Sequence, residues 1–249
     1  MLAALSLSML GFFLGMRHAT DPDHVVAVST IVARQPSLRA ALLIGSLWGL
    51  GHSLTIVAVG GAIILFAAVI PPRLGVTMEM GVALMLIVLG MWNLTGVLER
   101  IRASAVDGAS APHPHPHPHP HGPGADAWPK EKAGLGGAAR ILRPLLIGLM
   151  HGLAGSAAVA LLVLTLIQDP WWAVAYLAVF GIGTIAGMIL ITAAIAAALA
   201  YASRRSNWAG RYLPVTSGLL SLVFGLFFAY QVAVAGGLLG MDPGTSSPR

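Results

Sequence analysis

Residues 17–24 read Arg-His-Ala-Thr-Asp-Pro-Asp-His and place two imidazoles and two carboxylates within eight positions. Imidazole nitrogens combined with a carboxylate, and with no sulfur, suit Ni²⁺ or Co²⁺ as well as Zn²⁺ or Fe²⁺, and argue against Cu(I). Neutral histidine binds a metal near pH 7 and releases it on protonation, so protons can compete with the ion. The stretch therefore predicts a site for a divalent cation.

Pro22 interrupts any helix through this stretch, because proline lacks an N–H, would free the carbonyl of His18 and biases the preceding Asp21 away from helical geometry. In an unbroken helix His18, Asp21 and His24 would share an arc of roughly 120°, with Asp23 on the far side. The bend alters that arrangement, so spacing alone leaves both Asp21 and Asp23 open as the ligand.

Arg17 is interpreted mainly as a counter-ion for whichever aspartate does not bind the metal. A purely structural alternative is that Arg17 pairs with an aspartate while His18 and His24 satisfy polar neighbours in a packed bend. Five ionisable groups around one proline exceed what packing requires. The metal site is therefore the favoured interpretation.

Other polar side chains stand alone in apolar surroundings. His52, within Gly-Leu-Gly-His-Ser, is predicted to be a ligand or pathway residue, the alternative being a hydrogen bond between helices; the adjacent Ser53 would support either. His151 has no acidic neighbour in sequence, and the Gly, Ala and Ser around it equally favour close helix packing. Thr184 is a secondary candidate because it aligns with His52 in the repeat described below.

A second histidine group alternates with proline in residues 112–123. An extended chain of this kind predicts a weak, multi-site metal binder, the alternative being a stiff linker. Its members are His113, His115, His117, His119 and His121.

The elements that must position these residues are membrane helices. Of 249 residues, 57% are hydrophobic and 9% charged, and the mean hydropathy is +0.82, which soluble domains do not approach. A spanning helix needs roughly 20 apolar residues, and six stretches qualify. They are about Leu2 to Ala33, Leu38 to Ile70, Val76 to Leu98, Pro144 to Ile167, Trp171 to Ala202 and Leu213 to Leu239.

Lysine and arginine distribute unevenly between the connecting segments. Eleven of them fall on one side of the predicted spans, and only Arg73 and Arg249 fall on the other. The cation-rich side is cytoplasmic by the positive-inside rule. The protein is thus expected in the cytoplasmic membrane with both termini outside and the histidine tract in the cytosol. The cations lie between apolar runs rather than on a basic face, so no nucleic-acid partner is expected.

The chain also contains an internal repeat. When the sequence is laid over itself, one offset pairs Gly15 with Gly148 and His18 with His151, and closely similar offsets pair His52 with Thr184 and Gly90 with Gly225. Three spans per copy give the copies opposite orientations, as in secondary transporters. The predicted fold is an all-α polytopic membrane protein with six transmembrane helices, a 3+3 inverted repeat and a broken first helix. Its regions are 1–98 (first repeat), 99–143 (histidine-rich loop), 144–240 (second repeat) and 241–249 (short external tail).

These motifs resemble a known family. Arg-His-Ala-Thr-Asp-Pro-Asp-His is similar to the H-x4-D-H signature of the nickel/cobalt transporter (NiCoT) family, and Leu-Gly-His-Ser to its second motif. The segment after His151 is similar to the urease-accessory permeases grouped with that family. The resemblance implies that His18, Asp23 and His24 select and carry the metal, with His52 contributing, and it favours Asp23 over Asp21. Longer family members have eight spans, whereas six are counted here.

The expected function is secondary transport of Ni²⁺, with Co²⁺ as a second candidate substrate, most simply as uptake. No nucleotide-binding motif is present, so the membrane potential or an ion gradient would supply the energy. Alternatives are proton-coupled efflux of the same ions, a carrier for a non-metal solute, and an intramembrane metalloenzyme, whose H-E-x-x-H signature is absent. No resident cofactor is expected. The expected partners are the ion, membrane lipid and a cytosolic metal acceptor; the oligomeric state is left open.

Overall fold

The computed structural model describes residues 2–33, 37–68, 71–107, 141–154, 163 and 167–236. Within these ranges every regular secondary-structure element is a helix. The helices are α1 (Leu2–His18), α2 (Pro22–Val32), α3 (Leu38–Thr55) with a π-helical turn (Ile56–Gly60) leading into α4 (Gly61–Leu65), α5 (Pro72–Asp107), α6 (Ile141–Ala154), α7 (Pro170–Arg205) and α8 (Asn207–Ala235).

Four stretches of the described chain are long and apolar enough to cross a membrane, and they define a helical membrane protein. They are Leu38–Phe66, Arg73–Glu99, Pro170–Arg205 and Tyr212–Val234. They agree with the second, third, fifth and sixth predicted spans. The first predicted span corresponds to α1 and α2 together, and α6 covers the first part of the fourth. The count of six stays a prediction.

The predicted break in the first span is confirmed at Pro22. Helix α1 ends at His18, and α2 begins at Pro22 with Asp21 in an extended conformation before it. The break does not leave the His18 carbonyl free, as the missing proline N–H had suggested. The Asp21 N–H donates to that carbonyl at 3.1 Å, and the Thr20 N–H donates to the Arg17 carbonyl at 2.8 Å. A tight, hydrogen-bonded turn therefore joins the two helices.

The long second span is not broken but contains the π-helical turn, directly after His52 and Ser53. The equally long α7 is one continuous helix. Helix α5 continues to Asp107, past the predicted boundary at residue 98, because residues 99–107 contain no glycine or proline to end it. Helix α6 likewise begins at Ile141, inside the predicted loop. The remainder of that loop, with its five histidines, lies outside the described residues.

Glycines set the closest approaches between helices, and they do so in matched pairs. A side chain at Gly90 of α5 would lie 2.6 Å from the Leu222 nitrogen of α8, and one at Gly225 of α8 would lie 2.9 Å from the Ile87 nitrogen of α5. The offset that aligns Gly90 with Gly225 also aligns Ile87 with Leu222. The α5–α8 contact is therefore reciprocal in sequence.

The same relation holds where α1 meets α7 and α6 meets α3. A side chain at Gly15 would collide with the Phe180 carbonyl, and one at Gly148 would collide with the Trp48 carbonyl. In the sequence repeat Gly15 aligns with Gly148. Trp48 aligns with Phe180, at the same offset that aligns His52 with Thr184. Each half of the chain thus supplies a glycine to one contact and a backbone carbonyl to the other.

Two apolar clusters fill the space between the helices. One includes Trp48 together with residues of α2 and α5, and the other includes Tyr176 and Phe180 of α7 with residues near the α3–α4 junction. The ring of His24 lies 6.4 Å from that of Trp48, and the ring of His18 lies 5.6 Å from that of Phe180. The histidines of the signature therefore lie between the two clusters.

Candidate metal centre

The turn between α1 and α2 brings the signature side chains to the ends of two short helices. His18 is the last residue of α1, and Asp23 and His24 lie in the first turn of α2. A carboxylate is favoured at a helix N-terminus, where the backbone N–H groups carry partial positive charge. The proline that breaks the span therefore also provides a stabilised position for Asp23.

Helix α3 brings His52 against this turn. The Nε2 atoms of His18 and His52 lie 3.1 Å apart, and the His24 ring lies 5.0 Å from each of their rings. Two nitrogens bound to one metal at about 2.1 Å and at right angles would be about 3.0 Å apart. The ligand atoms of His18, His24 and His52 all lie within 4.8 Å of one another, which is compact enough to hold one ion.

A second group forms on the other side of His24. The His24 Nδ1 lies 3.1 Å from Asp23 Oδ1, and the His151 Nε2 lies 2.8 Å from Asp23 Oδ2. The ligand atoms of Asp23, His24 and His151 also lie within 4.8 Å of one another. Helix α6, in the second half of the chain, thus contributes to the same centre as the signature.

Three of the four imidazoles are sealed from the surface. His24, His52 and His151 expose 2%, 1% and 2% of their surface. Each has one buried nitrogen without a hydrogen-bond partner within the described chain: His24 Nε2, His52 Nδ1 and His151 Nδ1. Burying such a group without a partner costs free energy. These nitrogens are consistent with a centre that is completed by a ligand.

The first aspartate of the signature has a different environment. Its carboxylate lies 2.7 Å from His18 Nδ1, and the Asp21 side chain is 47% exposed. A carboxylate that accepts from one ring nitrogen fixes the tautomer, leaving the other nitrogen with its lone pair. Asp21 thus orients the His18 Nε2 toward His52.

Several secondary candidates have other roles in the structure. Arg17 is exposed, and the expected ion pair with an aspartate does not form: in the described chain the histidines hold both carboxylates. The Ser53 hydroxyl donates to the Gly181 carbonyl at 2.8 Å and so joins α3 to α7. The Thr184 hydroxyl donates to the Phe180 carbonyl of its own helix at 3.0 Å. Both hydroxyl protons are thus used within the helix packing.

Trp48 lines the centre, and it was not among the site residues predicted from the sequence. Its ring stacks at 6.4 Å on His24 and meets His151 edge-on at 5.6 Å, and it is fully buried. The four-residue spacing could have predicted this contact, because Trp48 lies one helical turn before His52 and therefore on the same face of α3.

Apolar helices of membrane-spanning length, packed around a buried cluster of ionisable side chains, define an integral membrane protein with a polar centre. Residues 4–127 match the family model described as high-affinity nickel-transport protein (NicO). Over 234 residues the chain is 33% identical to the urease accessory protein UreH of Bacillus sp. (strain TB-90), covering 94% of this chain and 95% of that relative. The chain belongs to the family of high-affinity nickel-transport proteins, and this is a family of transporters, not of enzymes. No solved structure matches the chain.

Proposed function

We propose that the protein carries Ni²⁺ across the cytoplasmic membrane through the centre formed by His18, Asp23, His24 and His52. The observation that carries this proposal is the convergence of these residues from three helices at hydrogen-bonding distances, with two of their buried imidazole nitrogens, on His24 and His52, left unpartnered in the described chain. Imidazole and carboxylate together suit Ni²⁺, and the absence of thiols from the chain removes competition from softer metals.

The two aspartates have separate roles in this proposal. Asp23, whose carboxylate faces His24 and His151, is the ligand that offsets part of the ion's charge. Asp21 orients His18 from outside the ligand set. The assignment of Asp23 rather than Asp21 as the ligand agrees with the choice that the family resemblance favours. The contacts of the Asp23 carboxylate with two buried histidines support it.

The six-span inverted repeat is part of the same proposal. The reciprocal glycine contacts of α5 with α8, and of α1–α7 with α6–α3, support it, because a two-fold axis in the membrane plane would produce such exchanges. In this arrangement residues 1–98 and 144–240 form the two repeats around the loop 99–143, and 241–249 form an external tail. Positive residues place the loop in the cytosol and both termini outside.

The direction proposed is uptake. A divalent ion moving inward down 100 mV gains about 4.6 kcal/mol, twice the value for a single charge, so the potential alone suffices as a driving force. The five loop histidines would collect the arriving metal and pass it to a soluble acceptor. Co²⁺ is a second substrate with the same ligand preferences.

Efflux is the competing function. A histidine tract on the cytosolic side would then gather ions for export in exchange for protons. Uptake and efflux can be distinguished in right-side-out and inverted membrane vesicles. In both, a membrane potential is imposed that is negative on the cytosolic side. Radiolabelled nickel should accumulate in right-side-out vesicles and not depend on an imposed pH gradient. Accumulation only in inverted vesicles, driven by protons, would establish efflux instead.

The ligand assignment is tested in the same vesicles. Asp23→Asn should abolish nickel flux, whereas the matched variant Asp21→Asn should reduce the flux without abolishing it. Equal flux in wild type and Asp23→Asn would remove the proposed centre. If wild type carries neither nickel nor cobalt in either vesicle orientation, the proposed function itself is wrong.

A further inference from the structure

Resting on the proposed function, we infer that the centre contains two overlapping ion positions that share His24, and that the ion passes from one to the other during transport. The imidazole station consists of His18, His24 and His52. The carboxylate station consists of Asp23, His24 and His151. His151, from the second half of the chain, is thereby a ligand for the transported ion.

The position of the His24 ring carries this inference. It lies 5.0 Å from the rings of His18 and His52 and 4.5 Å from the ring of His151. Its Nδ1 faces the Asp23 carboxylate at 3.1 Å, while its Nε2 is buried and has no partner within the described chain. His24 is the residue common to both compact ligand groups.

The two stations exclude each other. A neutral imidazole has one lone pair, because its other nitrogen carries the proton. His24 can therefore bind an ion at only one station at a time. When the ion moves from one nitrogen of His24 to the other, the nitrogen that it leaves takes up a proton from water and the nitrogen that it reaches releases one to water.

The stations differ in charge. Three neutral imidazoles leave the full double charge of the ion in place, whereas the Asp23 carboxylate halves it, which matters in a weakly polar interior. Each station has one partly exposed member, because the side chain of His18 is 18% exposed and that of Asp23 is 26% exposed. The imidazole station is therefore the weaker position, and the carboxylate station is the stronger one.

The internal repeat gives the stations their arrangement. His18 and His151 are aligned in the two copies, so the proposed two-fold axis relates one ligand of the first station to one ligand of the second. An axis in the membrane plane moves a residue to the opposite side of the midplane. The two stations consequently succeed each other along the transport path.

The test uses full-length protein in which the five loop histidines are replaced by serine, so that the tract contributes no binding. Ni²⁺ is titrated by calorimetry into this background and into His24→Gln, His52→Gln, His151→Gln and the double variant His52→Gln/His151→Gln. Each protein is also assayed for nickel flux in vesicles. Nickel X-ray absorption counts the imidazoles around the bound ion.

We expect one bound ion in the background, in His52→Gln and in His151→Gln, because each single variant keeps one station intact. His24→Gln and the double variant should weaken binding at least about 100-fold, or about 2.7 kcal/mol. His151→Gln should show more imidazole ligands than His52→Gln. Both should lose flux at least about tenfold, or about 1.4 kcal/mol, because transfer needs both stations.

Two results would overturn the two-station arrangement while leaving nickel transport intact. Loss of binding in both His52→Gln and His151→Gln would indicate a single position. Unchanged flux in His151→Gln would place that histidine off the path. Melting curves identify any variant that fails to fold. If His151→Gln fails to fold, His151→Asn replaces it, because asparagine also lacks the imidazole ring and is a smaller side chain. Absence of flux in the wild type would instead refute the proposed function.

Discussion

Gly15 offers a sharp test of how the helices hold the centre together. An added methyl group would overlap the Phe180 carbonyl oxygen and lie 2.9 Å from the Thr184 nitrogen, whereas ordinary contacts between nonbonded carbon atoms lie at about 3.5–4.0 Å. Gly15→Ala must therefore push α1 away from α7. His18 lies three residues further along α1, so this displacement also moves the His18 Nε2 from its position 3.1 Å from His52.

Overpacking of this kind lowers the free energy of unfolding by about 1–3 kcal/mol. For a chain of this size that corresponds to a fall in Tm of about 2–12 °C. A displacement of about 1 Å at a reacting centre can reduce rates about 100-fold, so nickel flux should fall more steeply than stability. Thermal unfolding in detergent and flux in vesicles measure the two effects separately.

The chain provides matched controls for this prediction. Gly148→Ala should have a similar effect, because its methyl group would overlap the Trp48 carbonyl and lie 3.0 Å from the His52 nitrogen. Gly81→Ala, on a face with nothing within 4 Å in the described chain, should leave flux unchanged and should not lower Tm, because alanine is the better helix former. Wild-type Tm and flux in both Gly15→Ala and Gly148→Ala would show that the described helix contacts do not position the centre.

Three further predictions concern other parts of the molecule. Asn93→Ala should lower the free energy of unfolding by about 1–3 kcal/mol without changing metal selectivity, because Asn93 Nδ2 donates to the Pro214 carbonyl at 2.8 Å and joins α5 to α8. Denaturation measures the stability and metal competition measures the selectivity, and an altered selectivity would contradict the prediction. In this cysteine-free chain, a cysteine at Gln168 should react with an impermeant reagent added outside and one at Ser110 should not; the reverse labelling would invert the proposed topology. Shortening residues 112–123 should weaken metal binding in the loop but leave flux through the centre within about twofold, and complete loss of flux would make the tract part of the path.

Hydropathy and proline made much of the fold predictable. The break at Pro22 follows from a missing N–H, and the long apolar helices follow from the need to satisfy every backbone group within the membrane. The π-helical turn after His52 was not predictable, because it changes only the hydrogen-bonding register within an apolar run.

The composition of the centre was predictable in part. His18, Asp23 and His24 are close in sequence, and His52 stood out as a lone membrane histidine. The contact between His151 and Asp23 joins residues from opposite halves of the chain, so no local pattern could reveal it. Arg17 is exposed, and in the described chain the partners of both aspartates are histidines. The sequence does not reveal this, because Arg17 and His18 lie at similar helical spacings from Asp21.

The internal repeat is uneven where the chemistry lies. The alignment that pairs His18 with His151 places Ser156 and Ala157 opposite Asp23 and His24, so the second copy lacks that carboxylate and imidazole. In the proposed inverted arrangement, two identical halves would show an ion the same free-energy profile from either face of the membrane. The unequal halves would give the two faces different half-saturating nickel concentrations, while the electrochemical gradient alone would set the direction of net flow.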